Sequence, residues 1–452
     1  MSHRSPNRQH PASRNHASAA PRQVNRRAFV RGATAAALSP ALLGAGGFAP
    51  RTTHAAQGGV TLTVNCSSDY QPIIQSFADQ YQQASGNTVN IVSQAYNQTH
   101  DKIVSGLASG AAAYDIVAVD VVWTAEFAAA GFIAPLDDRI TPELREQLVP
   151  AALVSRSYNN SIYQWPLFTM KYLYYNAAML ATAGFTNPPV TWEEFTEMSK
   201  AMQEQGVAQY GTAWAMAQAE GLICDYVLLV EAFGGEFQDA EGNWILNQGG
   251  GVAALQFMVD SITGEAIASP ASTTLDDRAN RNLFAAGEVP FLLNWTSAYK
   301  QFTDPASSKV VEDVRIGLIP GSAAAGTTSA STTGGSGLGI AARSSNQDAA
   351  WDFIQMMLVE PEAQRRWLAE ANQIPTFKEL YDDPAIIEQH PQFAEMRKQM
   401  DYGVGRPELP WYGQWTQVMQ LELHRALTGG KSPQQAMDDA MDQVNAIQEE
   451  FS

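Results

Sequence analysis

The chain has 452 residues, 45% of them hydrophobic and 16% charged, and a formal net charge of −18. That length supports two or more hydrophobic cores, and glycine and proline at ordinary levels point to a globular protein. The first 56 residues hold eight of the 28 basic residues and none of the 46 acidic ones, so the remainder carries 20 against 46, about −26, and lacks the basic face that nucleic acid or an anionic membrane demands of a partner.

The basic head reads as an address. Asn25-Arg26-Arg27-Ala28-Phe29-Val30-Arg31 resembles a twin-arginine export signal, residues 32–49 supply a weakly apolar stretch rich in alanine and glycine, and His54-Ala55-Ala56 offers a small-residue cleavage site. Ser39, Pro40 and several glycines argue against the other reading, an anchoring transmembrane helix. The expectation is a signal peptide and head over 1–56 and a mature protein outside the cytoplasm, periplasmic or at the cell surface. A lipid anchor needs a cysteine just after the apolar stretch, and Cys66 comes too late. Cys66 and Cys224 are the only cysteines, and whether they pair is open at this stage.

Beyond the head, 60–65 alternates as a strand and 70–84 places Ile73, Ile74, Phe77 and Tyr81 on one helical face before Ser85-Gly86. A strand over 88–92, a helix over 99–109 and a strand over 115–119 complete a βαβαβ run, which implies a parallel sheet with right-handed crossovers. Ile116 to Val119 is an unbroken apolar run, as a strand covered on both faces needs. Asp120 and Trp123 follow at its carboxyl end, the edge where open α/β sheets bind ligands. An acceptor-only carboxylate beside a flat ring suits a polyhydroxylated ring, whose hydroxyls and C–H face it would grip. The alternative is structural, with Trp123 in the core of the next helix and Asp120 as its N-cap. Asp69 and Tyr70 end the first strand and face the same crevice.

Residues 162–176 hold six aromatics and Lys171, a pattern for a buried hairpin, a ligand wall or both, with alternation dividing the faces. Thr191 caps a helix, and Glu194 completes a capping box. Glu220 precedes an apolar helix, where stabilisation by the helix dipole competes with a functional reading. A strand over 289–293 ends at Asn294-Trp295 and so repeats the placement of Asp120 and Trp123. Residues 323–339 read as a Ser/Thr/Gly/Ala-rich loop ending in a strand. Its Gly337-Leu338-Gly339 is rejected as a dinucleotide fingerprint, because the glycines precede their strand, and Thr428-Gly429-Gly430-Lys431-Ser432 is a turn between helices rather than a phosphate loop. Residues 349–368 and 411–451 read as helical.

Signatures of hydrolases, zinc enzymes and redox enzymes are absent, the seven histidines are scattered, and no cofactor or metal is expected. Asp120 and Glu220 could still form a glycosidase pair.

Together the Asp120…Trp123…Gly131…Pro135-Leu136 pattern, Trp165-Pro166…Tyr174-Tyr175-Asn176, Pro189…Thr191-Trp192-Glu193-Glu194 and Phe284…Gly287-Glu288…Asn294-Trp295 resemble the family 1 extracellular solute-binding proteins of ABC importers. The likeness runs from about residue 60 to the C-terminus. Glu220-Gly221-Leu222, Phe233-Gly234-Gly235, Gly334-Gly335, Tyr381-Asp382-Asp383-Pro384 and Arg406-Pro407 look most like the trehalose/maltose type. The resemblance implies an α/β, two-lobe periplasmic-binding-protein fold of type II-like form, with discontinuous lobes (57–168 plus 312–360, and 169–311 plus 361–452), a hinge, and a carbohydrate held in the cleft. It implies a monomer that delivers its ligand to the transmembrane subunits of an ABC permease.

Contacts carried over by this resemblance are Asp120 and Glu220 as hydroxyl acceptors, Trp295 as stacking platform, Gly335 through its backbone and Arg406 as donor, with Asp69, Tyr70, Trp123 and Trp415 around them. The chain departs from the type at Met170 and Lys171, where an acidic residue is usual. A cation there would suit an acidic or phosphorylated ligand, a cyclitol or another disaccharide. A binder of polyamines or peptides is the rival in the same fold.

Overall fold

The computed structural model describes residues 59–110 and 112–451, so the arginine-rich signal and its cleavage site lie outside the described residues. Thr61–Ser67 (β1), Gln71–Ser85 (α1), Thr88–Gln94 (β2), Tyr96–Ala108 (α2) and Ile116–Asp120 (β3) form the expected βαβαβ run, and β1 pairs in parallel with both β2 and β3. The predicted face of α1 is buried, and the helix stops at Gly86, whose φ of +77° lies in the left-handed region open to glycine. All five residues of β3 are buried, as its apolar run requires. Thr191 caps Trp192–Glu204 through a bond from the Glu194 N–H at 3.1 Å, while the Glu194 carboxylate reaches back to the Val190 N–H at 2.9 Å.

The remaining elements that matter are Trp165–Asn176 (β4), Glu220–Ala232 (α3), Asp277–Ala285 (α4), Phe291–Trp295 (β5), Val314–Gly317 (β6), Ser331–Ile340 (β7), Pro361–Ala371 (α5), Gly403–Val404 (β8), Tyr412–Leu427 (α6) and Pro433–Phe451 (α7). The sheet order is β2-β1-β3-β7-β4-β5, with β6 also on β4 and β8 on β7. It joins two lobes because β4 changes partners midway. Trp165 to Met170 pair antiparallel with β7, whereas Lys171 onward pairs with β5, and Leu173 onward also with β6 on the other edge. A strand flanked on both edges and covered on both faces cannot alternate. The division of β4 into a core face and a ligand face is therefore not seen: ten of its twelve residues are buried.

Only the end of β7 was legible as strand, because its sequence, STTGGSGLGI, is poor in strand-forming side chains. Gly337 and Gly339 lie inside the strand rather than before it, and close packing explains them: a Cβ at Gly337 would stand 2.1 Å from Gln164 Oε1. The turn at 428–432 joins α6 to α7 as expected.

One core lies around α3, the helix Gly249–Thr263, α6 and α7, and another around β1, α1 and α5. α5 rests on α1, with the Trp367 ring stacked 6.4 Å from Phe77 and Arg366 bonded to Ser76 at 2.8 Å. Residues 314–317 pair with the second half of β4. Cys66 and Cys224 are both free and buried, and burial pushes the Cys66 thiol up to about 11 and the Cys224 thiol to about 12. Among the described residues no helix is long and apolar enough to cross a membrane.

Gly335 has a φ of +88°, and a Cβ there would meet the Leu167 carbonyl oxygen at 2.5 Å. Gly335→Ala should cost roughly 1–3 kcal/mol of stability, whereas Gly413→Ala, in α6 with nothing within 4 Å, should be neutral or stabilising. Urea denaturation of both variants checks the contrast.

Candidate functional site

Five consecutive residues of β7, Thr332 to Ser336, form a floor to which the candidate groups are tied. The Thr332 hydroxyl donates to the Cys224 carbonyl at 2.6 Å and so fixes the first turns of α3, where Glu220 sits. The Thr333 hydroxyl donates to the Val404 carbonyl at 3.1 Å, and β8, which pairs in parallel with the start of β7, leads two residues on to Arg406. Gly334 carries no side chain where the Trp295 indole lies: a Cβ would fall 2.7 Å from the ring. Its carbonyl accepts from Arg156 Nη2 at 3.4 Å. Ser336 pairs with Asp120 across the β3–β7 ladder.

On the first-lobe side, Asp120 ends β3 and is buried. One carboxylate oxygen accepts from the Val122 N–H at 3.2 Å, capping the short turn Val121–Trp123, and the other accepts from the Tyr96 hydroxyl at 2.8 Å. The capping role and a place at the sheet's ligand edge thus coexist. Burial raises the Asp120 pKa above its ordinary value, and the Arg406 charge opposes that shift. Trp123 is half-buried, stacked on Tyr96 with centroids 5.9 Å apart and met edge-on by His100. Tyr70 lies close enough to Asp120 to register its charge. Burial and then the charges of Asp69 and Asp120 push the Tyr70 phenol up to about 12, and its hydroxyl donates to Gln373 at 3.4 Å. Asp69 is exposed at the end of β1.

On the second-lobe side, Glu220 accepts from Arg406 Nη1 at 2.7 Å, from the Tyr412 hydroxyl, from Thr416 at 2.7 Å and from Gln420 at 3.4 Å. A carboxylate has about four acceptor positions. Glu220, expected as a second ligand acceptor, is therefore saturated and acts as the group that orients Arg406. Arg406 is buried, and its Nε has no partner among the described residues. Arg156 is fully buried behind Gly334, where burial lowers its pKa to about 9 against the opposing Asp120 charge, so it stays charged at neutral pH.

Two expected contacts are not brought to the cleft. Lys171 is fully buried, its ammonium 2.5 Å from Asp225 and 2.9 Å from Asp277. Burial alone would lower its pKa, but the two carboxylates hold it above the ordinary value. With one cation between two carboxylates, burial pushes Asp225 up to about 6. The ammonium lies 5.3 Å from the Trp295 ring, backing the platform instead of meeting a ligand. Trp415 is likewise fully buried, packed among Phe237, Trp244 and Tyr412.

The residues that sequence reasoning missed are Tyr96, Tyr412, Thr416 and Arg156. Tyr96 stands just past the carboxyl end of β2, so the rule that selected Asp69 and Tyr70 would have found it. Tyr412 and Thr416 share a helix face at i, i+4, and nothing local marks Arg156. Among the described residues no His, Cys, Asp or Glu group is arranged to hold a metal ion.

Residues 67–364 match the model of the family described as bacterial extracellular solute-binding protein. The chain is 27% identical over 402 residues to a probable ABC transporter-binding protein of Deinococcus radiodurans, spanning 86% of this chain and 94% of that protein. Among solved structures, maltose-bound MalE3 of T. maritima superposes with a TM-score of 0.75 at 27% identity, covering 86% of this chain and all of that one (100%). An ABC transporter solute-binding protein of Agrobacterium radiobacter K84 in complex with ribitol superposes at 0.74 with 24% identity, covering 86% and 99% of the two chains.

Lys171→Met strands two carboxylates and should cost roughly 3–5 kcal/mol in urea denaturation, and adding Asp225→Leu should recover part of the loss. An unchanged midpoint for the single variant would contradict the buried ion pair. His100 provides a separate check behind Trp123. The Glu126 carboxylate, 2.9 Å from its Nε2, holds the His100 pKa above the ordinary 6.5 although burial lowers it. Stability from this pair is complete below that unfolded value and is lost as pH rises through the higher folded one. NMR titration should place the midpoint above 6.5 and Glu126→Gln should lower it.

Proposed function

The chain belongs to the bacterial extracellular solute-binding proteins, and from that premise we propose that it captures a neutral carbohydrate or polyol between its lobes and hands it to a membrane permease. The family and fold are those of ABC transporter binding proteins, not enzymes, and the family is extracytoplasmic. Capture as a monomer and export through the arginine-rich head belong to the same proposal.

The observation that carries this reading is the convergence on one floor of an indole face (Trp295), a buried acceptor (Asp120) and a buried arginine with an unspent N–H (Arg406). Such a set matches a molecule with C–H faces and hydroxyls that both donate and accept. Charge supports neutrality. Asp120 and Glu220 are balanced by Arg156 and Arg406, and Lys171 is already neutralised from within, so the cation that pointed to an acidic ligand is not on offer. A polyamine would need unpaired carboxylates facing it, whereas Glu220 is held by Arg406 and Asp225 and Asp277 by Lys171.

Closure follows from the division of the groups. Neither lobe alone surrounds a ligand, and a ligand shifts the open–closed equilibrium only by its differential affinity for the two states. Closed-state contacts worth about 4 kcal/mol would change that ratio roughly 1,000-fold, enough for a permease to read occupancy.

A thermal-shift screen against sugars, polyols, sugar acids and polyamines should raise the melting temperature with a neutral polyhydroxylated compound. By calorimetry with that compound, Asp120→Ala should cost on the order of 1–3 kcal/mol, since a ligand hydroxyl loses its partner, and Trp295→Ala should weaken every sugar bound. Unchanged affinity in both variants would contradict the cleft assignment.

A further inference from the structure

The sheet has an open edge at β6, which pairs with β4 alone. Backbone groups in an antiparallel pair alternate between facing the partner strand and facing away from it. The Ala177 N–H donates to the Asp313 carbonyl at 2.8 Å, in register with the β4–β6 ladder, so Arg315 and Gly317 turn their backbone groups to β4 while Val314 and Ile316 turn theirs outward. Val314 is satisfied, its N–H by the Val310 carbonyl at 2.8 Å and its own carbonyl by Arg315 Nη1 at 2.8 Å. The Ile316 N–H and carbonyl have no partner among the described residues. Ile316 lines a crevice of about 560 Å³ together with Pro188, Val190, and Glu395 and Lys398 of the helix Phe393–Gln399. Val190 is 61% exposed, so the crevice has an apolar rim open to solvent.

Charge marks the same place. Arg315 lines the crevice and bonds only to carbonyls, those of Glu312 at 2.9 Å and Val314 at 2.8 Å. Its charge registers at the phenols of Tyr175 and Tyr299, which also line the crevice and whose hydroxyls have no partner among the described residues. Lys398 is neutralised by Glu395 at 2.7 Å. An adjoining crevice of about 740 Å³ shares Tyr299, Pro391 and Gln392 and adds Lys300, exposed and without an ion pair among the described residues. The carboxylates there, Glu362 and Glu370, are met by Arg365 and Arg366. Two uncompensated cations, Arg315 and Lys300, thus stand by Tyr299 in a chain that carries 20 basic residues against 46 acidic ones past its head.

We propose that this crevice docks an extended acidic segment of another polypeptide, which adds as a short strand beside β6 at Ile316 and places a carboxylate on Arg315. Main-chain bonds at Ile316 supply affinity, and the apolar walls at Pro188 and Val190 take alternate side chains of the segment. By covering the Val314 carbonyl, Arg315 limits the pairing to a short strand, which keeps the edge from open-ended association. A small anion would use Arg315 and leave the strand edge bare. A second copy of this chain, docked about a two-fold axis, would set Arg315 and Lys300 against their own equivalents, like charge on like.

None of Asp120, Trp295 and Arg406 lines either crevice, so the docking surface stands or falls apart from the carbohydrate reading. The probes are labelled eight-residue peptides: one of alternating valine and glutamate, its lysine counterpart, and the glutamate peptide methylated on its backbone nitrogens. By fluorescence anisotropy at physiological salt, the intact protein should bind the glutamate peptide about tenfold or more tighter than the other two. Its net charge of −18 would favour the lysine peptide if binding followed overall charge alone. Arg315→Ala should weaken the glutamate peptide roughly 3- to 10-fold, and Arg315→Lys should recover part of that loss. Hydrogen exchange should find the Ile316 amide fast in the free protein and slowed in the complex. A glutamate peptide that binds no tighter than the lysine or methylated one would overturn the docking surface. So would an Ile316 amide whose exchange the bound peptide leaves unchanged, an Arg315→Ala variant of full affinity, or no binding by any of the three.

Discussion

The close approach of the Trp295 indole to the backbone of Gly334 is the contact from which the rest of the cleft takes its position. Only a residue without Cβ leaves room there, since that atom would sit 2.7 Å from the ring, and its neighbour Gly335 needs a φ of +88° that other residues adopt only with strain. With side chains removed from the middle of β7, its flanking hydroxyls and ladder bonds take over. Thr332 and Thr333 hold α3 and the stretch leading to Arg406, and Ser336 holds β3. A weak strand by composition is stable here because it lies between β3 and β4 and is paired on both edges. The glycines that lower its propensity are what allow two lobes to meet on it.

Buried charge does the second part of the work. Lys171, Asp225 and Asp277 tie β4, α3 and α4 together beneath Trp295. Glu220 collects Arg406, Tyr412, Thr416 and Gln420 from the segment that precedes α6 and from α6 itself. Clusters of this kind contribute little net stability once desolvation is counted. Their value is geometric, because a saturated carboxylate holds an arginine through Nη1 in one orientation and leaves its Nε–H without a partner among the described residues. The first lobe uses the same device at smaller scale, where Asp120 fixes Tyr96 and Tyr96 lies on Trp123.

The sequence showed the first lobe well and the crossover poorly, for physical reasons. β1 to β3 and their helices follow hydrophobic periodicity, and the rule that ligands gather at strand carboxyl ends selected Asp120, Tyr70 and Trp123, which the fold places near one another. β7 defeated the same method, since a strand stabilised by pairing on both edges needs no apolar pattern of its own. Lys171 was misplaced because charge suggests exposure, and the carboxylates that bury it lie 54 and 106 residues away. Trp415 was misplaced for the opposite reason, being an aromatic residue that the core of the second lobe absorbed. Glu220 was singled out as a ligand acceptor, and its four protein donors come from 186 to 200 residues along the chain, which no local pattern reveals.

The most direct measurement is a crystal structure of the protein grown with whichever neutral sugar raises its melting temperature furthest. The ligand should lie between the lobes with a ring face on Trp295, a hydroxyl within about 3.2 Å of Asp120 and an oxygen within reach of Arg406 Nε. A ligand bound outside this cleft, or one that touches a single lobe and leaves Asp120 and Arg406 with their present partners alone, would contradict it.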